Sequence, residues 1–306
     1  MASPLPPLFK PSRPAVPTTP INVIRASGYH IPLKQLSVEA IEDAIDTFTF
    51  RFYEERACKH CEFLADRHSE TCDDCSAYNG GVALAKREMS AKGNHFLKLP
   101  LGNKPKVVKW FKRNHYSLGK VIDRTTQNKP IAPFKFTRKP HDYQLEARNA
   151  AIKGKRGVIV SPPRTGKTVM GALIVHKLRQ KTLVLAHQRE WLNNFRDTFI
   201  GSKEEEAFTD IDPSRIGYAK KLADFEKLDI VFATFQQFFS PGGKILWDKV
   251  RRMFPVVLID ECQYAPAPES VRLMANLESE YRFGFSGTRE RKDMREVLFE
   301  HQVGLP

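Results

Sequence analysis

Five short apolar runs, rich in β-branched and aromatic residues, recur through the second half of the chain at 158–160, 183–186, 230–233, 256–259 and 283–285. Helical apolar rhythms separate several of them. The clearest places Val169, Met170, Leu173, Ile174 and Leu178 on one side of a helix. Strands that are apolar on both faces and alternate with helices predict a parallel sheet covered on both sides, a three-layer α/β lobe. The first half is patterned differently. Ser37 can cap a helix through Val38, Ile41, Ala44 and Ile45, and residues 47–53 alternate as a strand with Phe48, Phe50 and Phe52 on one face. Residues 82–87 and 95–99 predict further short strands, and Asn103-Lys-Pro105 opens a helix with proline in its first turn. Residues 1–20 hold seven prolines and no acidic residue, which predicts a disordered or polyproline-like tail. The three prolines of 126–140 predict a linker. The expected organisation is therefore a tail (1–20), a small α+β domain (21–125), a linker (126–138) and an α/β lobe (139–306). No internal repeat is apparent.

Charge and cysteine usage sharpen this picture. The 306 residues carry a formal net charge of +14, which points to a polyanionic partner such as nucleic acid. The predicted helix after Asn103 interleaves Val107, Val108, Trp110 and Phe111 with Lys104, Lys106, Lys109, Lys112 and Arg113. That pattern suits phosphate contacts with base stacking, and equally an ordinary amphipathic helix with a solvated basic face. No apolar run approaches the roughly 18–20 residues needed to span a bilayer, and the N-terminus lacks a secretory apolar region. The expected location is cytoplasmic, with no membrane partner. Four of the five cysteines form two C-x-x-C pairs, Cys58/Cys61 and Cys72/Cys75. Two thiolate pairs on tight knuckles can converge on one tetrahedral Zn²⁺, and a closed four-thiolate shell makes that zinc structural. His60 and His68 lie nearby but the cysteines already fill the shell, so both are expected to face solvent.

The string Ser-Pro-Pro-Arg-Thr-Gly-Lys-Thr at 161–168 falls between a strand and a helix, the context of a phosphate-binding loop. Backbone N–H groups of such a loop and of the first helical turn point at an anion, where the helix dipole also favours negative charge. Pro162, Pro163, Arg164 and Thr165 would form the loop, and Gly166 would let the backbone approach phosphate. Lys167 would reach the phosphates and Thr168 would ligate Mg²⁺. The first glycine of the usual pattern is replaced by Ser161, and Arg164 stands where related loops often carry another glycine. Asp260 and Glu261 follow an apolar strand, at the edge where an open parallel sheet binds ligand. Asp260 suits a Mg²⁺ ligand and Glu261 a base that orients and deprotonates water.

Taken together, residues 136–306 resemble the first RecA-like lobe of superfamily 2 helicases and translocases, in the phage and recombination branch of the DExH/Q-type enzymes. The resemblance rests on ordered motifs. Lys139-Pro-His-Asp-Tyr-Gln144 resembles the segment whose glutamine reads adenine, which gives Gln144 that role. Residues 161–168 correspond to motif I. The stretch 185–192 resembles motif Ia, with Arg189 as a backbone-phosphate contact, and 233–236 resembles a later strand-gripping motif, with Thr234 as the contact. Asp260 to Gln263 corresponds to motif II, with Gln263 at the nucleotide. Phe285-Ser-Gly-Thr-Arg289 resembles motif III, which couples nucleotide state to nucleic acid through Ser286 and Thr288; Arg289 stands where relatives usually have proline.

The resemblance implies ATP and Mg²⁺ as cofactors, and nucleic acid, DNA in preference to RNA, as partner. The chain stops shortly after motif III. The expectation is thus the front half of a helicase that needs a second RecA-like lobe, in cis or in trans, for its arginine finger and turnover. Two other readings stay open. One is a nucleic-acid-binding module with a nucleotide-responsive, non-hydrolysing lobe. The other is a phage packaging-type motor ATPase, suggested by Arg164.

Overall fold

The computed structural model describes residues 18–53, 78–126, 128–264, 268–288 and 295–305. The cysteine pairs Cys58/Cys61 and Cys72/Cys75, with His60, His68 and Arg289, lie outside the described residues, as does most of the proline-rich tail.

The N-terminal half contains β1 (Thr19–Arg25), β2 (Tyr29–Pro32), α1 (Val38–Thr47), β3 (Thr49–Tyr53), β4 (Tyr78–Ala83), β5 (Lys86–Met89), β6 (His95–Leu99), α2 (Lys104–Arg113) and β7 (Tyr116–Asp123). The Ser37 cap forms, its side chain accepting from the Ala40 N–H, and Asn103 caps α2 in the same way, accepting from the Lys106 N–H. One five-stranded sheet runs β5-β6-β2-β1-β7, antiparallel except for the β1–β7 pair, and β3–β4 make a separate ribbon. Three sequence expectations shift. Thr19 and Pro20, assigned to the tail, already pair with Tyr116 and Ser117. Phe48 caps α1 at its C-terminus and the strand starts one residue later. The single strand expected at 82–87 is two, because Leu84 and Ala85 are both buried and the Leu84 N–H turns to the Phe48 carbonyl.

The second half contains α3 (Asp142–Gly154), β8 (Arg156–Val160), α4 (Lys167–Leu178), β9 (Thr182–Ala186), α5 (Arg189–Ile200), β10 (Ile216–Tyr218), α6 (Leu222–Lys227), β11 (Ile230–Thr234), α7 (Pro241–Val250), β12 (Val256–Ile259), α8 (Pro268–Ala275), β13 (Tyr281–Ser286) and α9 (Glu296–Gln302). The five predicted apolar strands all form, and β10 joins them at one edge. The six-stranded sheet, β10-β11-β9-β12-β13-β8, is parallel throughout. Its side chains alternate between two cores. Val184, Phe232, Leu258 and Phe285 pack under α4 and α5, whereas Leu183, Leu185, Val231 and Ile259 face Phe225, Trp247, Met274 and Phe299 of α6 to α9.

That second core does not stop at the lobe. It runs without interruption into Ile21, Phe48, Leu97 and Trp110 of the N-terminal half. Polar contacts reinforce the join. The Lys98 ammonium reaches Glu88 and Asn276, each at 3.2 Å, and the Gly102 N–H donates to the His301 carbonyl at 2.8 Å. Residues 128–138 form no helix and only the isolated bridges of Pro130 with Gln180 and Phe136 with Thr209, and Ile131 and Phe134 are buried in the core under α4 and α5.

Candidate nucleotide and nucleic-acid site

Because every strand of the six-stranded sheet runs the same way, the loops after them collect along one edge. Read from β10, that edge carries Tyr218, then Thr234 and the start of α5, then residues 260–264, then Ser286, and last the 161–166 loop.

The loop is held from within. The Ser161 N–H donates to the Ser286 carbonyl at 2.9 Å, the Ser161 and Thr165 hydroxyls bond each other, and Thr165 Oγ1 donates to the Pro162 carbonyl at 2.7 Å. Pro162, Pro163 and Arg164 are exposed. Arg164 (φ 65°) and Gly166 (φ 77°) both occupy the left-handed region. This explains the glycine common at the Arg164 position, since an L-residue there costs about 1 kcal/mol. At Gly166 a Cβ would lie 2.5 Å from Gln144 Nε2, so any other residue would be strained by its backbone and would displace that amide. α4 begins at Lys167 and aims its N-terminus at the loop.

From Lys167 a chain of contacts crosses the site. Its ammonium meets Glu261 Oε1 at 2.7 Å, Gln263 donates to the other Glu261 oxygen at 2.5 Å, and Ser286 Oγ lies 2.7 Å from Gln263 Oε1. The Thr288 N–H in turn donates to Ser286 Oγ at 3.1 Å. Asp260 is 5% exposed, and its carboxyl accepts from the Glu261 N–H at 3.0 Å. Burial, followed by the neighbouring Glu261 charge, pushes its pKa up to about 7. Glu261 itself sits at φ 43°, an uncommon backbone for a non-glycine residue and one found at functional turns. The Thr168 hydroxyl, in the first turn of α4, lies 2.8 Å from that of Thr198 on α5.

Gln144 is buried against the loop. Its Oε1 accepts from the His141 N–H at 3.1 Å and its Nε2 donates to the Thr165 carbonyl at 3.2 Å. Beside it opens a cavity of about 170 Å³ lined by Phe136, Arg138, His141, Tyr143 and Arg164. The Tyr143 hydroxyl also reaches the Thr165 carbonyl, at 3.0 Å, and its ring stacks on His141. Sequence reading missed Tyr143, although it adjoins Gln144 within the same motif at the start of α3. Arg189 opens α5, exposed, with its guanidinium 4.5 Å from the Tyr218 ring, and Thr234 ends β11 half-buried. On α2 the two readings of Trp110 separate: Val107, Trp110 and Phe111 are buried in the core, while Lys104, Lys109 and Lys112 are exposed. Base stacking by Trp110 is thereby excluded.

Residues 137–291 match the family described as type III restriction enzyme, res subunit. The chain belongs to that family. It is 30% identical to the DNA 3'-5' translocase XPB2 of Sulfurisphaera tokodaii over 164 residues, 53% of this chain and 34% of that protein. It is 25% identical to the probable helicase D10 of Escherichia phage T5 over 147 residues, 48% of this chain and 30% of that one. The chain thus spans about a third of the length of these curated relatives. The crystal structure of the UvsW helicase from bacteriophage T4 superposes with a TM-score of 0.58 at 14% identity, covering 94% of this chain and 99% of that one, a likeness of fold alone. No helix among the described residues is long and apolar enough to cross a membrane.

Proposed function

We propose that this chain is the nucleotide-binding half of an ATP-dependent DNA helicase or translocase of superfamily 2, working against a second RecA-like lobe supplied in cis or in trans. The observation that carries the reading is the unbroken chain Lys167–Glu261–Gln263–Ser286, which ties the phosphate-binding lysine to the acidic pair and to the third motif. MgATP fits the residues present. Gly166 clears the backbone for phosphate, Lys167 and the α4 N-terminus supply positive potential, and buried Asp260 is a carboxyl whose ionised form a divalent cation would favour. Gln144 and the cavity beside it would hold the base. Bound ATP supplies the phosphoanhydride whose cleavage drives the motor.

The chain's own residues take four roles. Lys167 holds the phosphates. Asp260 with Thr168 orders Mg²⁺. Glu261 is the base for water, and its second oxygen, held by Gln263, relays the state of the site to Ser286 and Thr288. Nucleic acid lies along the same edge, its phosphates met by Arg189 and Thr234, with the exposed lysines of α2 as an auxiliary contact. The test is MgATP binding and DNA-stimulated hydrolysis. Lys167→Ala should lose nucleotide affinity with the fold intact. Glu261→Gln should keep affinity and lose about 10²–10⁴ in turnover. Equal affinity in wild type and Lys167→Ala refutes the assignment.

Cys58, Cys61, Cys72 and Cys75 are assigned to one structural Zn²⁺. Metal analysis should find a single zinc per chain, lost on combining Cys58→Ser with Cys72→Ser together with stability of the N-terminal half. Unchanged zinc in that double variant removes the site.

A further inference from the structure

Between the proposed phosphate contacts and the nucleotide site, the edge carries an aromatic pair that the motifs leave without a role. Trp191 sits on the first turn of α5, two residues after Arg189. A two-residue step on a helix turns the side chain by roughly 200°, so the two point to opposite sides. Arg189 leans toward β10 and stacks on Tyr218. Trp191 leans the other way, toward the turn after β12, where its ring meets Tyr264 with centroids 5.0 Å apart and planes 32° apart.

Neither ring is sealed. The buried stripe of α5 is Leu192, Phe195, Thr198 and Phe199, and Trp191 packs beside it against the core under α4 and α5 with part of its surface open. Tyr264 is 52% exposed. A chain of net charge +14 thus presents, in one strip, a guanidinium, a hydroxyl at Thr234 and an open aromatic surface. Phosphate is met by the first two and a flat π-face by the third, which is the division of labour of single-strand binding. A sheet edge that only gripped phosphates would need no exposed ring.

We propose that Trp191 and Tyr264 form a stacking platform for a nucleobase of single-stranded nucleic acid, beside the backbone contacts and next to the acidic pair. The inference rests on reading this edge as the nucleic-acid face, and it adds a base contact to a lobe otherwise read as holding only backbone.

The chain has three tryptophans, and two of them are sealed: Trp110 is 1% and Trp247 3% exposed. Fluorescence quenching by acrylamide therefore reports on Trp191. Titration of the full chain with short oligo-dT at low salt should protect Trp191, whereas an abasic oligomer of the same length should bind more weakly and leave it quenchable. Tyr264→Ala, at an exposed position, should weaken oligo-dT binding on the order of tenfold and leave abasic binding unchanged. Trp191→Phe should keep most of the affinity. Arg189→Ala should weaken both oligomers alike. Equal affinity for oligo-dT and the abasic oligomer, with Tyr264→Ala silent, overturns the platform but leaves the nucleic-acid face standing. Failure of wild type to bind either oligomer overturns that face, and the platform with it.

Discussion

At position 282 a guanidinium is 1% exposed, with no carboxylate among the described residues paired to it. Its partners are dipoles. It donates to the carbonyls of Met274 (3.0 Å) and Leu277 (2.8 Å), where α8 ends, to that of Gln302 (2.6 Å), where α9 ends, and to Ser279 Oγ at 3.3 Å. Helix C-termini are the negative ends of their dipoles, so one cation fastens two helices to β13. Arg282→Met should leave the buried carbonyls of Leu277 and Gln302 without their donor, while that of Met274 keeps the Leu277 N–H, and cost about 3 kcal/mol, read from urea unfolding. A change below 1 kcal/mol would show that water replaces the guanidinium. The strain at Arg164 predicts the opposite sign. Arg164→Gly should be neutral or stabilising by up to about 1 kcal/mol, and Arg164→Val should be destabilising, because a β-branched side chain tolerates a left-handed backbone least. At this scale the sequence was informative where chemistry dictates position. Lys167, Glu261, Gln263 and Ser286 were named as separate motif residues and meet in one chain of contacts. The left-handed backbone of Arg164 was foreshadowed only by the glycine it replaces. Tyr218 and Tyr264 gave no signal, since a tyrosine at a loop edge looks the same whether it packs, stacks or faces solvent.

Elements tell a different story. Short apolar runs between helical rhythms specified five parallel strands, four of them buried on both faces. The three-residue β10, Ile-Gly-Tyr, is too short to show a period, and it forms because β11 offers it an open edge. Helix α2 illustrates the limit of composition: basic and aromatic residues alternate in sequence, yet the helical twist sends Trp110 inward and the lysines outward. Trp110→Ala should therefore cost about 3–5 kcal/mol of stability, as expected for a large buried aromatic. Unchanged stability with lost nucleic-acid binding would reverse the assignment. α9 carries a pH dependence. His301 is 1% exposed, boxed by Phe48 and Phe50, with Nδ1 2.8 Å from the Val297 carbonyl. That carbonyl accepts, so Nδ1 carries the proton of the neutral ring. Burial lowers the pKa from 6.5 to about 4. The unfolded chain therefore takes up the proton first. The stabilisation from the neutral ring is whole above about pH 6.5 and declines as pH falls toward 4, at up to about 1.4 kcal/mol per pH unit. Urea midpoints at pH 7 and pH 5 should differ in wild type and differ less in His301→Phe, where His30, also lowered to about 4 by burial, keeps its own share. An equal acid sensitivity in both would assign the effect elsewhere.

For the whole molecule, the sequence placed a linker between two domains, and the structure shows a strap there with Ile131 and Phe134 buried and an apolar core that passes from Trp110 to Phe299 without a break. Long-range burial of this kind leaves no local periodicity, so the prolines and the lack of pattern could be read only as a linker. A chain nicked between Asn128 and Lys135 should elute as one particle on gel filtration, and separation of its halves without denaturant would contradict the shared core. The same continuity has a mechanical meaning. A stroke can be delivered only where parts slide past each other, and a lever arm is useful only if it does not bend. With the N-terminal sheet welded to the lobe through α8 and α9, the two turn together, as a tool head turns with its shaft. A displacement of the lobe would thus take the lysines of α2 with it, because both halves are built on one apolar core.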